Sequence, residues 1–148
     1  MKGQIVKIIS NDYFVSYNDK EYICKARGKF KNENITLQVG DYVLFDINNK
    51  YILEILPRKN SLLRPSVANI DQAFIITSLK KPDFSTNLLD KLLVICQVND
   101  ITPIICLTKK DLLKKEEFKQ LKEIIKYYKK IGYKVVYNTE LFKIKKLF

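Results

Sequence analysis

The sequence predicts two folds in series, a small β-barrel followed by half of a parallel α/β domain. Residues 1–60 contain short apolar segments that alternate with polar residues and are separated by Asn/Asp turns, the pattern of antiparallel strands. Residues 71–148 instead join near-continuous apolar runs to stretches with helical spacing, the pattern of strand–helix–strand units. We therefore expect a β plus α/β protein.

The predicted strands of the first domain occupy residues 3–9, 13–17, 21–26, 42–46 and 51–56. Asn and Asp residues stand in the turns between them, and Gly40-Asp41 introduces the fourth strand. Five strands within about 55 residues are typical of a small closed barrel of the OB type. Residues 61–70 follow as the predicted linker, because Arg64 and Pro65 give this region the basic, proline-containing character of an interdomain connection.

The second domain begins with residues 72–79, an apolar run typical of a strand that is buried on both faces. Ser85 or Thr86 can cap the helix that follows. Residues 102–107 and 133–137 give two further strands, and Gly132 is a plausible end for the second helix. The apolar positions at helical spacing are Leu88, Leu89, Leu92, Leu93 and Cys96 in the first helix, and Phe118, Leu121, Ile124, Ile125, Tyr128 and Ile131 in the second. Alternating strands and helices predict a parallel sheet that binds its ligands at the carboxyl ends of the strands.

The formal net charge of +11 favours a polyanionic partner, with nucleic acid as the first candidate. A competing interpretation is equally weighted. The excess is nearly all Lys, accompanied by many Ile and Asn, as expected from an AT-rich genome that encodes lysine on solvated faces. The placement of individual charges must decide between the two.

Several classes of protein are disfavoured. No apolar run reaches the roughly 18 residues of a membrane helix, and no signal-peptide pattern follows Met1, so we expect a cytoplasmic protein without a membrane partner. Cys24, Cys96 and Cys106 form no close pair and the chain has no His. Neither a disulfide framework nor a usual zinc site is predicted, and we expect no metal ligands among these residues.

The sharpest local motif is Thr108-Lys109-Lys110-Asp111, which stands directly after the second buried strand and before an amphipathic helix. A carboxylate at this place can accept hydrogen bonds from N1–H and the exocyclic amine of guanine, while a lysine stem lies along the base plane. Adenine lacks that pair of donors and would leave the carboxylate unpaired. The alternative is that Asp111 only caps the following helix, and for an isolated four-residue match this alternative is favoured.

A second candidate site is a basic ridge. Lys25, Arg27, Lys29 and Lys31 are spaced every two residues, so an extended backbone would point them to one side of the barrel. Such a ridge suits the phosphates of RNA. Tyr22 and Phe30 flank the ridge, and we expect both rings in the core rather than against bases.

One motif is missing from the 148 residues. No Gly-x-x-x-x-Gly-Lys-Ser/Thr loop occurs, and no Asp-x-x-Gly metal loop follows. Phosphoryl transfer depends on backbone amides around the phosphates and on a bound Mg²⁺. We therefore expect no catalytic residues and no GTP hydrolysis from these residues alone.

Taken together, these features identify a family. The sequence resembles the ribosome-small-subunit-dependent, circularly permuted GTPases, the RsgA or YjeQ/YloQ family, over nearly its whole length. The stretches that carry the resemblance are residues 24–28 (CKARG), 39–43 (VGDYV), 63–65 (LRP), 69–72 (NIDQ), 84–86 (FST), 88–91 (LLDK) and 103–112 (PIICLTKKDL).

The resemblance implies an OB barrel followed by a truncated, P-loop GTPase-like half-domain with permuted motif order. It places Thr108, Lys109 and Asp111 in the guanine-recognition motif, with Thr where most GTPases have Asn. It places a second base contact near Asn138 and Thr139. It also implies GTP and Mg²⁺ for the full-length family protein, and zinc in a further C-terminal domain that this sequence does not contain.

The function expected on this basis is that of the N-terminal part of a GTPase in late maturation of the small (30S) ribosomal subunit. The barrel would bind rRNA through the basic ridge and Arg64, and the half-domain would recognise guanine. We expect a monomer. The alternative from another class is a stand-alone RNA-binding OB module encoded by a degenerate gene, and a weaker one is a nonspecific cationic binder of nucleic acid.

Overall fold

A computed structural model describes residues 1–28, 30 and 35–138. The chain divides into two compact units, Met1–Ile70 and Asp71–Phe148. The strands of the first unit are β1 (Lys2–Ile9), β2 (Asp12–Tyr17), β3 (Lys20–Ala26), β4 (Tyr42–Asp46), β5 (Tyr51–Ile55), β6 (Ser61–Leu62) and β7 (Val67–Ala68). The elements of the second unit are β8 (Gln72–Ser78), α1 (Thr86–Val98), β9 (Thr102–Thr108), a 3₁₀ turn (Lys110–Leu112), α2 (Lys115–Lys130) and β10 (Lys134–Tyr137).

Strands β1 to β5 form a closed barrel in the order β1-β2-β3-β5-β4. β1 pairs antiparallel with both β2 and β4, which closes the sheet on itself, while β3 and β5 run parallel. Closure leaves these five strands without a free edge, as a small barrel requires. The predicted five-stranded OB-type barrel is confirmed.

The barrel core consists of inward side chains of the five strands together with Phe30 and Leu37 from the connection between β3 and β4. Its buried members are Ile5, Val15, Cys24, Phe30, Leu37, Val43, Phe45 and Ile52. Tyr22 packs against this cluster, with its ring centroid 5.7 Å from that of Phe45. The expectation that Tyr22 and Phe30 belong to the core is therefore confirmed.

Residues 61–70, predicted as a linker, are ordered against the barrel. β6 and β7 pair as a short hairpin, and Arg64 is exposed in the turn between them. The Ala68 N–H donates to the Val39 carbonyl at 2.8 Å, and the Gln38 side-chain amide donates to the Leu62 carbonyl at 3.3 Å. These hydrogen bonds make the segment part of the first unit, a difference that composition alone does not reveal.

An ion pair between a buried carboxylate and a partly exposed guanidinium lies where this hairpin meets the barrel. Asp41 is fully buried, and its two carboxylate oxygens accept hydrogen bonds from Arg58 at 2.7 and 2.8 Å. The Gln38 backbone N–H donates to the same carboxylate at 2.8 Å. Gly40 has a φ of +94°, and a Cβ at this position would lie 2.0 Å from the Ala68 carbonyl oxygen. Only glycine fits here.

The second unit is a parallel sheet in the order β10-β9-β8. Both crossovers proceed in the same direction along the sheet, so right-handed connections place α1 and α2 on one face. Ser85 caps α1 by accepting a hydrogen bond from the Leu88 N–H at 3.2 Å, as predicted. The Tyr128 hydroxyl of α2 donates to Asp90 of α1 at 2.7 Å and joins the two helices. The predicted α/β half-domain is confirmed.

Two details of burial differ from the sequence prediction. β8 is an edge strand whose Ile76 is 70% exposed, so this strand is not buried on both faces. Within the described residues no helix covers the face on which Ile76 lies. In α1, Leu89, Leu93 and Cys96 are buried, whereas Leu88 and Leu92 are exposed. In α2, Ile125 and Tyr128 are buried, while Ile131 lies beyond the end of the helix and is exposed.

Loss of the buried carboxylate should destabilise the barrel. Asp41→Asn removes the charge that balances Arg58 and places an amide donor against the guanidinium at a fully buried position, so we expect a cost of about 3 kcal/mol. We expect the protected amides of β1 and β4 to exchange about a hundredfold faster in native-state hydrogen exchange. Asp12→Asn is the control, because it breaks an exposed ion pair with Lys25 and should cost less than about 1 kcal/mol. Equal effects of the two variants would contradict the assignment.

Candidate functional site

The candidate site lies at the carboxyl ends of the three parallel strands. Thr108 ends β9 and is paired with Ser78 at the end of β8. Tyr137 ends β10 opposite Leu107, so Asn138 follows at the level of Thr108 on the neighbouring strand. The structure therefore brings Thr108 and Asn138 to one edge of the sheet, where ligands of parallel α/β sheets bind. Thr139 lies outside the described residues.

The loop after β9 is fixed to the rest of the second unit at two points. The Thr108 hydroxyl donates to the Thr77 carbonyl of β8 at 3.3 Å. Lys109 has a left-handed backbone conformation, with φ 57° and ψ 33°, and its ammonium donates to the Lys81 carbonyl. A non-glycine residue in this region costs about 1 kcal/mol, and these contacts offset that cost.

Lys110 lies between two aromatic rings. Its ammonium is 4.5 Å from the ring centroid of Phe118 in α2 and 4.9 Å from that of Tyr137 at the end of β10. Both distances are within the range of cation–π attraction. Lys110 therefore connects the loop after β9 to the strand end that precedes Asn138, a contact that the sequence did not predict.

Asp111 is exposed in the 3₁₀ turn and does not cap α2. Helix α2 begins at Lys115, and the carboxylate that accepts a hydrogen bond at its start belongs to Glu117, which receives the Lys114 backbone N–H at 2.9 Å. Among the described residues, no hydrogen bond or ion pair engages the Asp111 carboxylate. The capping alternative is therefore wrong for this residue, and the carboxylate is available to a ligand.

Charged residues beside the loop were missed by the sequence reasoning. Lys80 contacts Glu117 at 2.9 Å and Asp83 at 3.4 Å. The hydrogen bond to Glu117 raises the pKa of Lys80 above its ordinary value. The pKa of Glu117 is lowered, first by the Lys114 N–H and then by Lys80. Lys80 is the second residue after β8, as Lys110 is the second residue after β9, and this shared position was the available signal.

The predicted basic ridge is described only in part. β3 ends at Ala26, so the extended spacing holds for Lys25 but not beyond it. Lys25 is an exposed residue of β3 and forms an ion pair with Asp12 at 2.6 Å, and Arg27 is exposed directly after the strand. Lys29 and Lys31 lie outside the described residues. The RNA-binding role of the ridge stays a prediction.

The three cysteines are buried free thiols. Cys24, Cys96 and Cys106 are buried, the first in the barrel and the others in the second unit. Burial raises the pKa of each thiol, which disfavours the thiolate that metals bind. No cluster of three potential ligands occurs in residues 1–28, 30 and 35–138. In the same ranges, no helix combines the length and apolarity needed to cross a membrane.

Comparison with known families decides the identity of both units. The model of the RsgA GTPase domain matches residues 55–147, and the model of the RsgA N-terminal domain matches residues 2–52. The chain belongs to the RsgA GTPase family. The Oceanobacillus iheyensis protein named small ribosomal subunit biogenesis GTPase RsgA 2 is 47% identical over 90% of this chain and 47% of its own length. The Enterococcus faecalis RsgA is 45% identical over 99% and 50%.

Solved structures agree with this assignment. YloQ, described as a circularly permuted GTPase, superimposes with a TM-score of 0.82 at 38% identity, over 99% of this chain and 56% of its own. YjeQ from Thermotoga maritima gives a TM-score of 0.79 at 32% identity, over 92% and 50%. The chain spans about half the length of the RsgA relatives that it matches.

The start of α2 offers a direct test of what Asp111 does. Because Glu117 and not Asp111 accepts the Lys114 N–H, Asp111→Asn should leave the exchange rates of the first-turn amides of α2 unchanged. Glu117→Ala removes the acceptor and should make these amides exchange faster. Hydrogen exchange followed by NMR reports both. Faster exchange in Asp111→Asn would restore the capping interpretation.

Proposed function

We propose that this chain is the N-terminal part of a GTPase that acts in late maturation of the small ribosomal subunit, in the cytoplasm. In this proposal the second unit recognises guanine and the barrel binds rRNA. The observation that carries it is the Asp111 carboxylate, which is exposed at the carboxyl edge of the sheet and engaged by no described residue. The names of the RsgA relatives support the ribosomal context.

Guanine recognition would use the loop as the structure arranges it. The Asp111 carboxylate accepts N1–H and the exocyclic amine, a pair of charge-assisted hydrogen bonds that adenine cannot supply. Lys109, held by the Lys81 carbonyl, presents its methylene stem to the base plane. Thr108 replaces the more common Asn, and its hydroxyl on Thr77 braces the loop in place of the missing amide. Asn138 and Thr139 supply the second base contact.

Binding of the GTP phosphates and of Mg²⁺ needs other residues than binding of the guanine base. GTP and Mg²⁺ follow from the GTPase family, but the 148 residues contain no phosphate-binding loop, and the described residues hold no cluster of metal ligands. The residues present therefore fit the base of GTP and do not fit its phosphates or Mg²⁺. Zinc, which the resemblance implies for a further C-terminal domain, likewise has no cluster of three ligands among the described residues. No catalytic step is assigned to these residues.

RNA binding by the barrel would depend on exposed cations. Among the described residues, Lys25 pairs with Asp12 in an exposed contact, and such pairs contribute little, so a phosphate can compete for the ammonium. Arg27 and Arg64 are exposed as well. Together with Lys29 and Lys31, these residues form the proposed phosphate contacts on the first unit.

The basic ridge can be tested by its salt dependence. Replacing Lys25, Arg27, Lys29 and Lys31 by Ala removes four phosphate contacts. The slope of log affinity for small-subunit rRNA against log salt should become shallower by about three units, and binding should weaken at low salt. Fluorescence anisotropy over a salt series measures both quantities.

A matched control separates local contact from total charge. The helix α2 carries exposed lysines at Lys119, Lys122, Lys126 and Lys129, and changing these four to Ala removes the same net charge. This variant should retain nearly the original slope. If both quadruple variants changed binding equally, the charge would act as a diffuse field and the ridge would be a solvated face.

The guanine assignment is tested in a chimera that adds the phosphate-binding and C-terminal segments of a close RsgA relative. The chimera should hydrolyse GTP when small subunits are added. Asp111→Asn leaves an amide that cannot accept both guanine donors, so kcat/KM for GTP should fall by about 10²-fold if a mispaired polar contact costs about 3 kcal/mol.

Xanthosine triphosphate provides the rescue. Xanthine has a carbonyl oxygen where guanine has its amine, and this oxygen can accept from the Asn amide. The Asp111→Asn chimera should therefore recover activity with XTP. An active, folded variant that kept the original preference for GTP would overturn base recognition, while intact RNA binding in the same protein would leave the alternative of a stand-alone RNA-binding module.

A further inference from the structure

The outer surface of the barrel carries apolar side chains that contribute nothing to its core. Phe14 on β2 is paired with Ile23 on β3. Tyr51 on β5 is paired with Lys25, which lies two residues beyond Ile23 on the same face of β3. Ile23 is 50% exposed and Tyr51 is 43% exposed, while Phe14 is half-buried. We call Phe14, Ile23 and Tyr51 the β2–β3–β5 platform.

Strand alternation explains why these side chains face outward. Each has a neighbour in sequence that is completely buried in the barrel, Val15 beside Phe14, Cys24 beside Ile23 and Ile52 beside Tyr51. Successive side chains of a strand point to opposite faces, so the platform must lie outside. Aromatic and β-branched residues favour strands. Two of these three side chains are exposed to water, however, and therefore contribute little stabilisation through burial.

Cations lie among the platform residues. The Lys7 ammonium is 4.8 Å from the ring centroid of Phe14. Lys25 is the cross-strand partner of Tyr51, and its ion pair neutralises Asp12, the nearest acidic group on β2. Beside Tyr51, an open depression of about 510 Å³ is lined by Ala26, Arg27, Gly28, Asn49 and Tyr51. An aromatic ring, a guanidinium and an amide therefore converge there.

We propose that the β2–β3–β5 platform stacks unpaired bases of RNA, with Tyr51 and its depression taking one base and Phe14 another. The proposal rests on RNA binding by the barrel and goes beyond it, because it assigns contacts to bases where the basic ridge contacts phosphates. Aromatic rings interleaved with cations are what single-stranded nucleic acid requires. A base displaces Lys7 from Phe14, since base–aromatic stacking is stronger than an exposed cation–π contact, and the freed ammonium meets a phosphate.

Charge argues for this occupant over a protein surface. Lys7 lies over Phe14, Lys25 is paired with Tyr51, and Arg27 lines the depression beside Tyr51. The acidic partner of Tyr51 on β4, Asp46, lies within reach of the Arg27 charge, and the chain as a whole carries a formal net charge of +11. A protein partner would need a matching acidic surface, whereas an RNA strand supplies phosphates and flat rings at a regular spacing. The open depression beside Tyr51 leaves room for one unpaired base against the ring, whereas both faces of a base inside a duplex are already stacked.

The experiment compares two strands that share phosphates and differ in bases. A labelled oligouridine and an abasic strand of equal length are titrated with the complete chain, and fluorescence anisotropy gives both affinities across a salt series. The unmodified protein should bind the oligouridine about tenfold or more tightly than the abasic strand. The Phe14→Leu/Tyr51→Leu variant should lose this preference and keep its salt slope, because no charge has changed.

Tyr42 is the matched control. It is 40% exposed and lies 5.2 Å beneath the Lys2 ammonium, at the opposite end of β4 from the residue paired with Tyr51. Tyr42→Leu should retain the preference for bases, and hydrogen exchange of the barrel amides verifies that each variant folds. Equal binding of both strands by the unmodified protein, or an equal loss in Tyr42→Leu, would overturn the platform alone. Failure of every strand to bind would overturn RNA binding by the barrel as well.

Discussion

The first unit depends on one buried carboxylate. Asp41 directly precedes β4 and lies beside β1 and the segment that follows β5. Its carboxylate oxygens accept hydrogen bonds from Arg58 and from the Gln38 backbone N–H. On either side of it the backbone joins β1, because Ile5 N–H donates to the Asp41 carbonyl and Gly40 N–H to the Ile5 carbonyl. A charge buried this deeply requires its partner, so the guanidinium fixes the course of the chain after β5. The same site thereby orders the hairpin of residues 61–70 that composition had assigned to a linker.

Much of the fold was predictable because it rests on local periodicity. The five barrel strands and the three parallel strands follow from alternation and from apolar runs, and Ser85 is identified as a cap by its position before an apolar stripe. Burial was less predictable. Ile76 lies in a run as apolar as that of β9 but is left 70% exposed by the way the described elements pack, and such packing is a tertiary property that no window of sequence contains. The Asp41–Arg58 pair likewise joins residues 17 positions apart, beyond any local pattern.

The candidate site, like the fold, was predictable from the sequence only in part. The position of Thr108 to Asp111 at a strand end follows from the order of elements, and parallel register then brings Asn138 alongside. What could not be predicted is how the loop is held. The contact of Lys109 with the Lys81 carbonyl and the position of Lys110 between Phe118 and Tyr137 join three segments that are far apart in sequence. These contacts hold the loop in one conformation. Asp111 is the one residue of the Thr108–Asp111 motif that has no partner among the described residues.

The edge strand β8 also affects how molecules of this chain meet in solution. Ile76 on this strand is 70% exposed, and an apolar side chain in water is a surface on which two molecules can associate unless charge keeps them apart. In this protein the formal net charge of +11 makes each molecule repel other copies of the same chain. That repulsion extends over only about 10 Å at 0.1 M salt and about 3 Å at 1 M. Colloidal stability therefore decreases as ionic strength rises, and the lysines that attract polyanions also keep apart molecules that expose apolar side chains such as Ile76.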